Sequence, residues 1–231
     1  RLEEADLPKL DIRLWRVADR TPLGEPLRGH TGIVYRCEFS PDGRILASAS
    51  ADRTVRLWDV ATRTAVGGPL TGHTDNVYAL AYHPIRTTMV ASAGYDRTVR
   101  LWDTAARTQL GATMTGHEDS VQAVAFNPDG RLLASAANDR TIRLWDVADL
   151  RQIGEPISHA EHLGALAFSP DGSVVAGGGQ QVWLWDVATR RRIGPPLLEG
   201  AERCAALRFS RDGRLLAAAV GNAVVAWDVL R

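Results

Sequence analysis

The sequence predicts an all-β protein made from one small unit written several times over, and three observations carry that prediction. Tryptophans recur at Trp15, Trp58, Trp102, Trp145, Trp185 and Trp227, at spacings of 43, 44, 43, 40 and 42 residues, a period typical of repeat architectures. Each of the last five closes a run of short apolar segments separated by turn residues, the pattern of consecutive strands. A further segment follows most of them and usually contains a proline, at Pro26, Pro69, Pro156 and Pro196.

The unit is clearest from Gly29 to Asp59, GHTGIVYRCEFSPDGRILASASADRTVRLWD. Its strands are expected at Val34–Phe39, Ile45–Ser50 and Thr54–Trp58. Ser40-Pro41-Asp42-Gly43 joins the first two, because proline presets φ at a turn position and glycine accepts positive φ. The turn recurs as Asn127-Pro128-Asp129-Gly130 and Ser169-Pro170-Asp171-Gly172, and with Arg211 for proline in the fifth copy. His83-Pro84-Ile85-Arg86 lacks the glycine, so that turn must differ. A fourth strand, such as Thr64–Leu70, is expected at a sheet edge, where a proline removes no needed donor and discourages foreign pairing. The whole chain reads as one repeat region, with units near 1–28 (partial), 29–71, 72–115, 116–157, 158–198 and 199–231.

Four-stranded sheets of this kind cannot bury both faces alone; stacking them around an axis does so, which makes a β-propeller. With G-H near one end of each unit and W-D at the other, the chain resembles the WD-repeat family over nearly its whole length. The resemblance implies a sequence repeat offset from its blade, five main four-stranded antiparallel blades and a ring that most often has seven. Asp11–Trp15 and Thr21–Leu27 read as the outer half of a further blade, since Arg1–Leu10 carries no strand pattern. The favoured expectation is therefore an incomplete, open ring; the alternative pairs Thr21–Leu27 with the last blade and closes a small one.

Composition narrows the function classes. The 27 basic residues balance 27 acidic ones, leaving no overall field to draw in nucleic acid or an anionic membrane. Lys9 is the only lysine among many Arg, Ala and Gly, a usage associated with bacterial genomes. Cys37 and Cys204 fall at non-equivalent positions, which argues against a disulfide framework and for a reducing, cytoplasmic setting. No run approaches the length of a membrane span.

His30, Ser48 and Asp52 have the residue types of a nucleophilic triad, but they recur as His73, Ser92, Asp96 and as His117, Ser135, Asp139. An enzyme needs one such set, whereas a repeat needs one per unit. The resemblance implies a structural hydrogen-bond network that runs through these residues to Trp58, Trp102 and Trp145. In the fourth copy Gly177 replaces the serine and the aspartate is missing, yet His159 remains; Gly177-Gly178-Gly179-Gln180 reads as a tight turn. In the fifth, Gly200 and Ala218 replace histidine and serine. His159 and His162 are too few to hold a metal, and the glycines lack the features of a phosphate loop. Neither a catalytic residue, a metal ligand nor a cofactor site is expected. Arg53, Arg97 and Arg140 occupy equivalent turns, as surface pairs or as an anion-binding arc. All four Phe (Phe39, Phe126, Phe168, Phe209) share one repeat position with Tyr82 and are expected in the core; Trp183 breaks the pattern.

The resemblance also implies a partner-binding top face, whose positions here are Ile33, Tyr35, Asn76, Tyr78, Tyr95, Ser120, Gln122, Asn138, His162 and Arg203. Tyr offers rigid area with a polar tip. The expected function is therefore a non-catalytic scaffold or sensor that binds protein or peptide, without nucleic acid or membrane insertion. The alternative is a framework or regulatory region of a larger signalling enzyme, fused to a kinase or NTPase.

Overall fold

In the computed structural model, residues 10–199 and 202–229 are described; Gly200 and Arg1–Lys9 lie outside them. Every element is a β-strand. Five antiparallel meanders follow one another as blades around an axis, each numbered from its innermost strand outward. Blade 1 comprises Val34–Phe39, Ile45–Ser50, Val55–Asp59 and Thr64–Ala65, and blade 2 comprises Val77–Tyr82, Met89–Gly94, Val99–Asp103 and Thr108–Met114. Blade 3 contains Val121–Phe126, Leu132–Ala137, Thr141–Asp146 and an outer strand in two pieces, Arg151–Gln152 and Ile157–Ser158. Blade 4 contains Ala165–Phe168, Val174–Gly178, Gln181–Asp186 and Leu198–Glu199. Blade 5 has three described strands, Cys204–Phe209, Leu215–Val220 and Ala223–Asp228, rather than the expected four.

Outer strands are shorter than the sequence suggests. Instead of spanning Thr64–Leu70, the outer strand of blade 1 stops at Ala65, and Leu70 returns through an isolated bridge to Val55. The intervening Pro69 cannot donate to a ladder. Blade 2 has Thr113 where the others have proline, and there the outer strand runs on to Met114 across a bulge.

Blades pack through a repeated apolar interface. Trp102 of blade 2 lies against Ala47, Ala49, Val55 and Leu57 of blade 1, and the pattern repeats down the array. At the start, Trp15–Arg16 pairs with Thr21–Pro22, and Ile12 and Leu27 bridge and pack on Leu46 and Trp58. The pairing of Thr21–Leu27 with the last blade is thus not formed. Those residues belong to the N-terminal hairpin, held by its own tight turn.

The inner strands of all five blades line one central cavity of about 750 Å³. The ring is nevertheless not sealed, because among the described residues no apolar cluster joins blade 5 to blade 1 or to the hairpin. Leu215 and Val224 of blade 5 are 46% and 78% exposed, where the matching Val55 of blade 1 is fully buried. Phe39 departs from the core expectation for the same reason. It is 50% exposed because among the described residues no inner strand precedes blade 1, whereas Tyr82 and Phe168 in the same slot are covered by a neighbouring blade.

A bare blade face of this kind drives association. The chain is expected to show concentration-dependent self-association by light scattering, and Leu215→Lys with Val224→Lys should shift it towards monomer. A wild-type chain that stays monomeric at all concentrations would contradict the open face.

Candidate functional site

The hydrogen-bond relay that crosses each intact blade fixes the upper end of the sheet. In blade 1 the indole N–H of Trp58 donates to Ser48 Oγ at 2.8 Å, Ser48 lies 2.7 Å from His30 Nε2, and His30 Nδ1 lies 2.7 Å from Asp52 Oδ2. Blades 2 and 3 repeat it through Trp102, Ser92, His73 and Asp96, and through Trp145, Ser135, His117 and Asp139, with distances of 2.7–2.8 Å. The indole can only donate, so the serine hydroxyl donates onward to Nε2 and Nδ1–H donates to the carboxylate. Each serine is wholly buried. Its proton is committed to the histidine and one lone pair to the indole, and burial denies it contact with a substrate.

The relay is electrostatically polarised. Burial pushes the His30 pKa down despite the Asp52 hydrogen bond, so the ring is neutral at pH 7. Burial alone would raise Asp96, but bonds from His73, the Thr74 N–H and Thr98 outweigh it and hold the carboxyl at about 2. Asp139 is also lowered, burial being outweighed by His117 and the Glu118 N–H. Each aspartate ties the loop before the inner strand to the turn between strands two and three, as where Asp52 accepts from the N–H groups of Thr31 and Thr54.

The G-H dipeptide has its own cause. Gly29, Gly72 and Gly116 sit at φ of 155°, 150° and 141°, and a Cβ on Gly72 would lie 2.9 Å from Arg100 Nη1 and 3.3 Å from the Trp102 ring. Only glycine lets the chain pass this close. Arg100 in turn donates to Gln109 at 2.5 Å, and Arg143 donates to Gln152.

Blade 4 rebuilds the same corner with other residues. Ser158 takes the glycine position, Trp183 the arginine position and Arg192 the glutamine position. The Arg192 guanidinium lies 4.5 Å from the Trp183 ring centroid, so the cation has moved to the outer strand and stacks on the ring. His159 packs edge-on against Trp183 and Trp185, and its Nδ1 accepts from the Glu161 N–H at 3.1 Å. Glu161 replaces the missing aspartate, its Oε2 accepting from the Gln180 and Gln181 N–H groups at 3.1 and 3.2 Å. Gly177 and Gly178 are strand residues, contrary to the expected turn. A Cβ on Gly177 would meet the Trp185 ring at 2.9 Å, and one on Gly178 would meet Cys204 Sγ at 2.6 Å. Close packing within blade 4 therefore selects glycine at 177, and close packing against blade 5 selects it at 178. His83 was not singled out by the sequence; its Nδ1 accepts from the Ile85 and Arg86 N–H groups and replaces the missing turn glycine.

The ten top-face positions divide by blade. A register shift separates Val34 from Arg36 in the inner strand of blade 1, and the same shift recurs at Val77/Ala79, Val121/Ala123 and Cys204/Ala206. Tyr35, Tyr78, Gln122 and Ala205 are thus the extra residues of β-bulges, which re-aim a side chain without breaking the strand. Tyr35 and Tyr78 ring centroids are 5.1 Å apart, and Tyr78 stacks on Tyr95 at 6.1 Å. Ile33 and Tyr95 are each 40% exposed, and Asn76 is half-buried. Burial raises the Tyr95 pKa, its tyrosine neighbours add to that, and Arg203 opposes it. Ser120 and Gln122 are buried instead of presented: Ser120 Oγ accepts from Gln122 at 3.1 Å and from Asn138 at 3.0 Å. His162 and Arg203 are exposed, and His162 Nδ1 lies 2.7 Å from the Asn138 carbonyl. Among the described residues no group of His, Cys, Asp and Glu could hold a metal, and both cysteines are free.

The family model of the WD domain, G-beta repeat, matches residues 20–59, 65–103, 108–146 and 151–186, more than half of the chain. The chain belongs to the WD-repeat family. Each match starts in or before an outer strand and ends with the third strand of the next blade, the offset expected of this family. A stretch of 52 residues is 44% identical to telomerase protein component 1 of Rattus norvegicus, covering 19% of this chain and 2% of that protein. Another of 55 residues is 42% identical to transcription initiation factor TFIID subunit 5 of Drosophila melanogaster, covering 23% of this chain and 8% of that protein. The WD-repeat chain thus spans a small part of the curated relatives it matches.

Two outcomes follow from the relay. Asp96→Ala strands a buried histidine and two backbone donors, and should cost about 1–3 kcal/mol in a denaturant melt. Stability should also fall in two stages as pH drops. A histidine held below its unfolded pKa, such as His30, binds fewer protons folded than unfolded, so stability declines as pH falls through about 6.5. A depressed aspartate contributes above its unfolded pKa of about 4, and that contribution disappears as pH falls towards the folded value of about 2 for Asp96. Thermal melts between pH 8 and 2 (about the span of these groups) check both stages.

Proposed function

We propose that this WD-repeat region is a non-catalytic scaffold that binds a peptide or protein loop across its top face. The carrying observation is the run of Tyr35, Tyr78 and Tyr95, in ring contact and partly exposed. Two of the three stand at bulges that aim them away from the ladder. Such a cluster offers rigid apolar area with hydroxyl tips, and neutral polar groups from Asn76 and Asn138 flank it; this is the make-up of an interface anchor with a polar rim. Protein interaction is the ordinary role of WD-repeat propellers, and the names of the two relatives, a telomerase component and a transcription factor subunit, are those of parts of assemblies.

The chemistry of the relay supports the non-catalytic part of this reading, since its serines are buried and hydrogen-bonded to both indole and imidazole. Two free cysteines suit a reducing compartment. Among the described residues no helix is long and apolar enough to cross a membrane. The alternative, a framework or regulatory region of a larger signalling enzyme, is compatible with the matched relatives being far longer than the stretches that match. Binding on the top face is compatible with it.

Random peptides displayed on phage and selected against the wild-type chain supply the test. Tyr78→Ala with Tyr95→Ala should lower the affinity of selected peptides by about 30-fold or more, the equivalent of one or two hot-spot residues. The melting temperature should barely move. Unfolding of the double variant would place the rings in the core, and unchanged binding would move the partner to the blade sides.

A further inference from the structure

The top face is chemically lopsided. At the bulge position the blades carry Tyr35, Tyr78, Gln122, Gly164 and Ala205 in turn, so bulk disappears on passing from blades 1 and 2 to blades 4 and 5. Two residues earlier they carry Ile33, Asn76, Ser120, His162 and Arg203, so cationic character appears where bulk is lost. A cavity of about 360 Å³ opens there, lined by Arg140, Ala160, Glu161, His162, Gln180 and Arg203.

We infer that this cavity binds an oxyanion carried by the peptide partner, a side-chain carboxylate or a phosphoryl group, between the guanidinium groups of Arg140 and Arg203. Neither arginine forms an ion pair among the described residues. Glu161, the acid in the lining, directs its Oε2 to the backbone N–H groups of Gln180 and Gln181. That leaves two guanidinium groups lining a polar cavity in a chain whose charges balance overall. Arg140 stands at φ 64° in the turn between strands two and three of blade 3. Arg203 lies over Gly164, where a Cβ would be 2.8 Å from its Nη2. The absence of a side chain at 164 therefore provides the bed on which this guanidinium rests. Arg203 is also near enough to Tyr95 to lower its pKa, so the cationic pocket and the aromatic cluster belong to one surface. Arginine suits such a role because its planar fork matches carboxylate and phosphate geometry.

This inference rests on top-face binding, and the experiment separates the two. An array of degenerate peptides, each set fixing one central residue as Glu, Asp, phosphoserine, Gln or Ser, is probed with the folded chain. The acidic or phosphorylated sets should bind about fivefold or more above the Gln and Ser sets, as charge-assisted bonds to arginine imply. Whether Glu or phosphoserine ranks first identifies the source of the oxyanion. Arg140→Gln with Arg203→Gln should erase the discrimination while leaving the melt unchanged. Gly164→Ala should weaken it with both arginines still present, because the displaced group is the free end of a flexible side chain. Tyr78→Ala should lower all sets alike. Equal binding of acidic and neutral sets, still sensitive to Tyr78→Ala, would overturn the anion site and leave top-face binding standing. Binding of no set would overturn both. Competition by a short oligouridylate as effective as the best peptide would show general polyanion binding and overturn the assignment.

Discussion

One buried chain of hydrogen bonds, from indole to hydroxyl to imidazole to carboxylate, holds the top of the propeller in register. It begins at a tryptophan whose ring packs on the preceding blade and ends at an aspartate that gathers two loops on the top face. The interface between blades and the shape of the top face are thus coupled through four side chains. Polar groups so deeply placed are costly when half satisfied and nearly neutral when fully paired. The intact blades carry the complete set for this reason, and blade 4 rebuilds the corner where it lacks part of it.

Blade 4 shows that the corner is a constraint on shape and charge, with residue identity secondary. Glycine, arginine and glutamine become Ser158, Trp183 and Arg192, and the positive charge moves one strand outward while remaining in contact with the same region. The lost aspartate is answered by Glu161, which reaches the turn from the opposite side through a longer side chain. Glycine at 177 and 178 removes the side chains that would collide with Trp185 and Cys204.

Much of this was legible in the sequence, because it is periodic. The tryptophan spacing, the Pro-Asp-Gly turns and the threefold His, Ser and Asp set define the blades and their order. What escaped are features that depend on neighbours in space. Phe39 matches Phe168 in sequence, yet it differs in exposure because among the described residues no inner strand precedes it. Gly177 and Gly178 look like a turn when counted along the chain and prove to be strand, packed against Trp185 of their own blade and Cys204 of blade 5. Glu161 could be identified as a substitute only after its reach to Gln180 was visible. Ser120 and Gln122 align with exposed positions, but they bond to each other and sink into the surface.

The bulges at the upper ends of the inner strands have a consequence for how such a chain can change over generations. An extra residue that pairs with nothing is free of the ladder, so strand pairing does not dictate its identity. Tyr, Gln and Ala already occupy that place in different blades of one molecule. Drift at a single codon per blade can therefore change the chemistry of the top face while the scaffold beneath it stays constant. The character of that face is in effect written in a handful of letters that pair with no neighbouring strand.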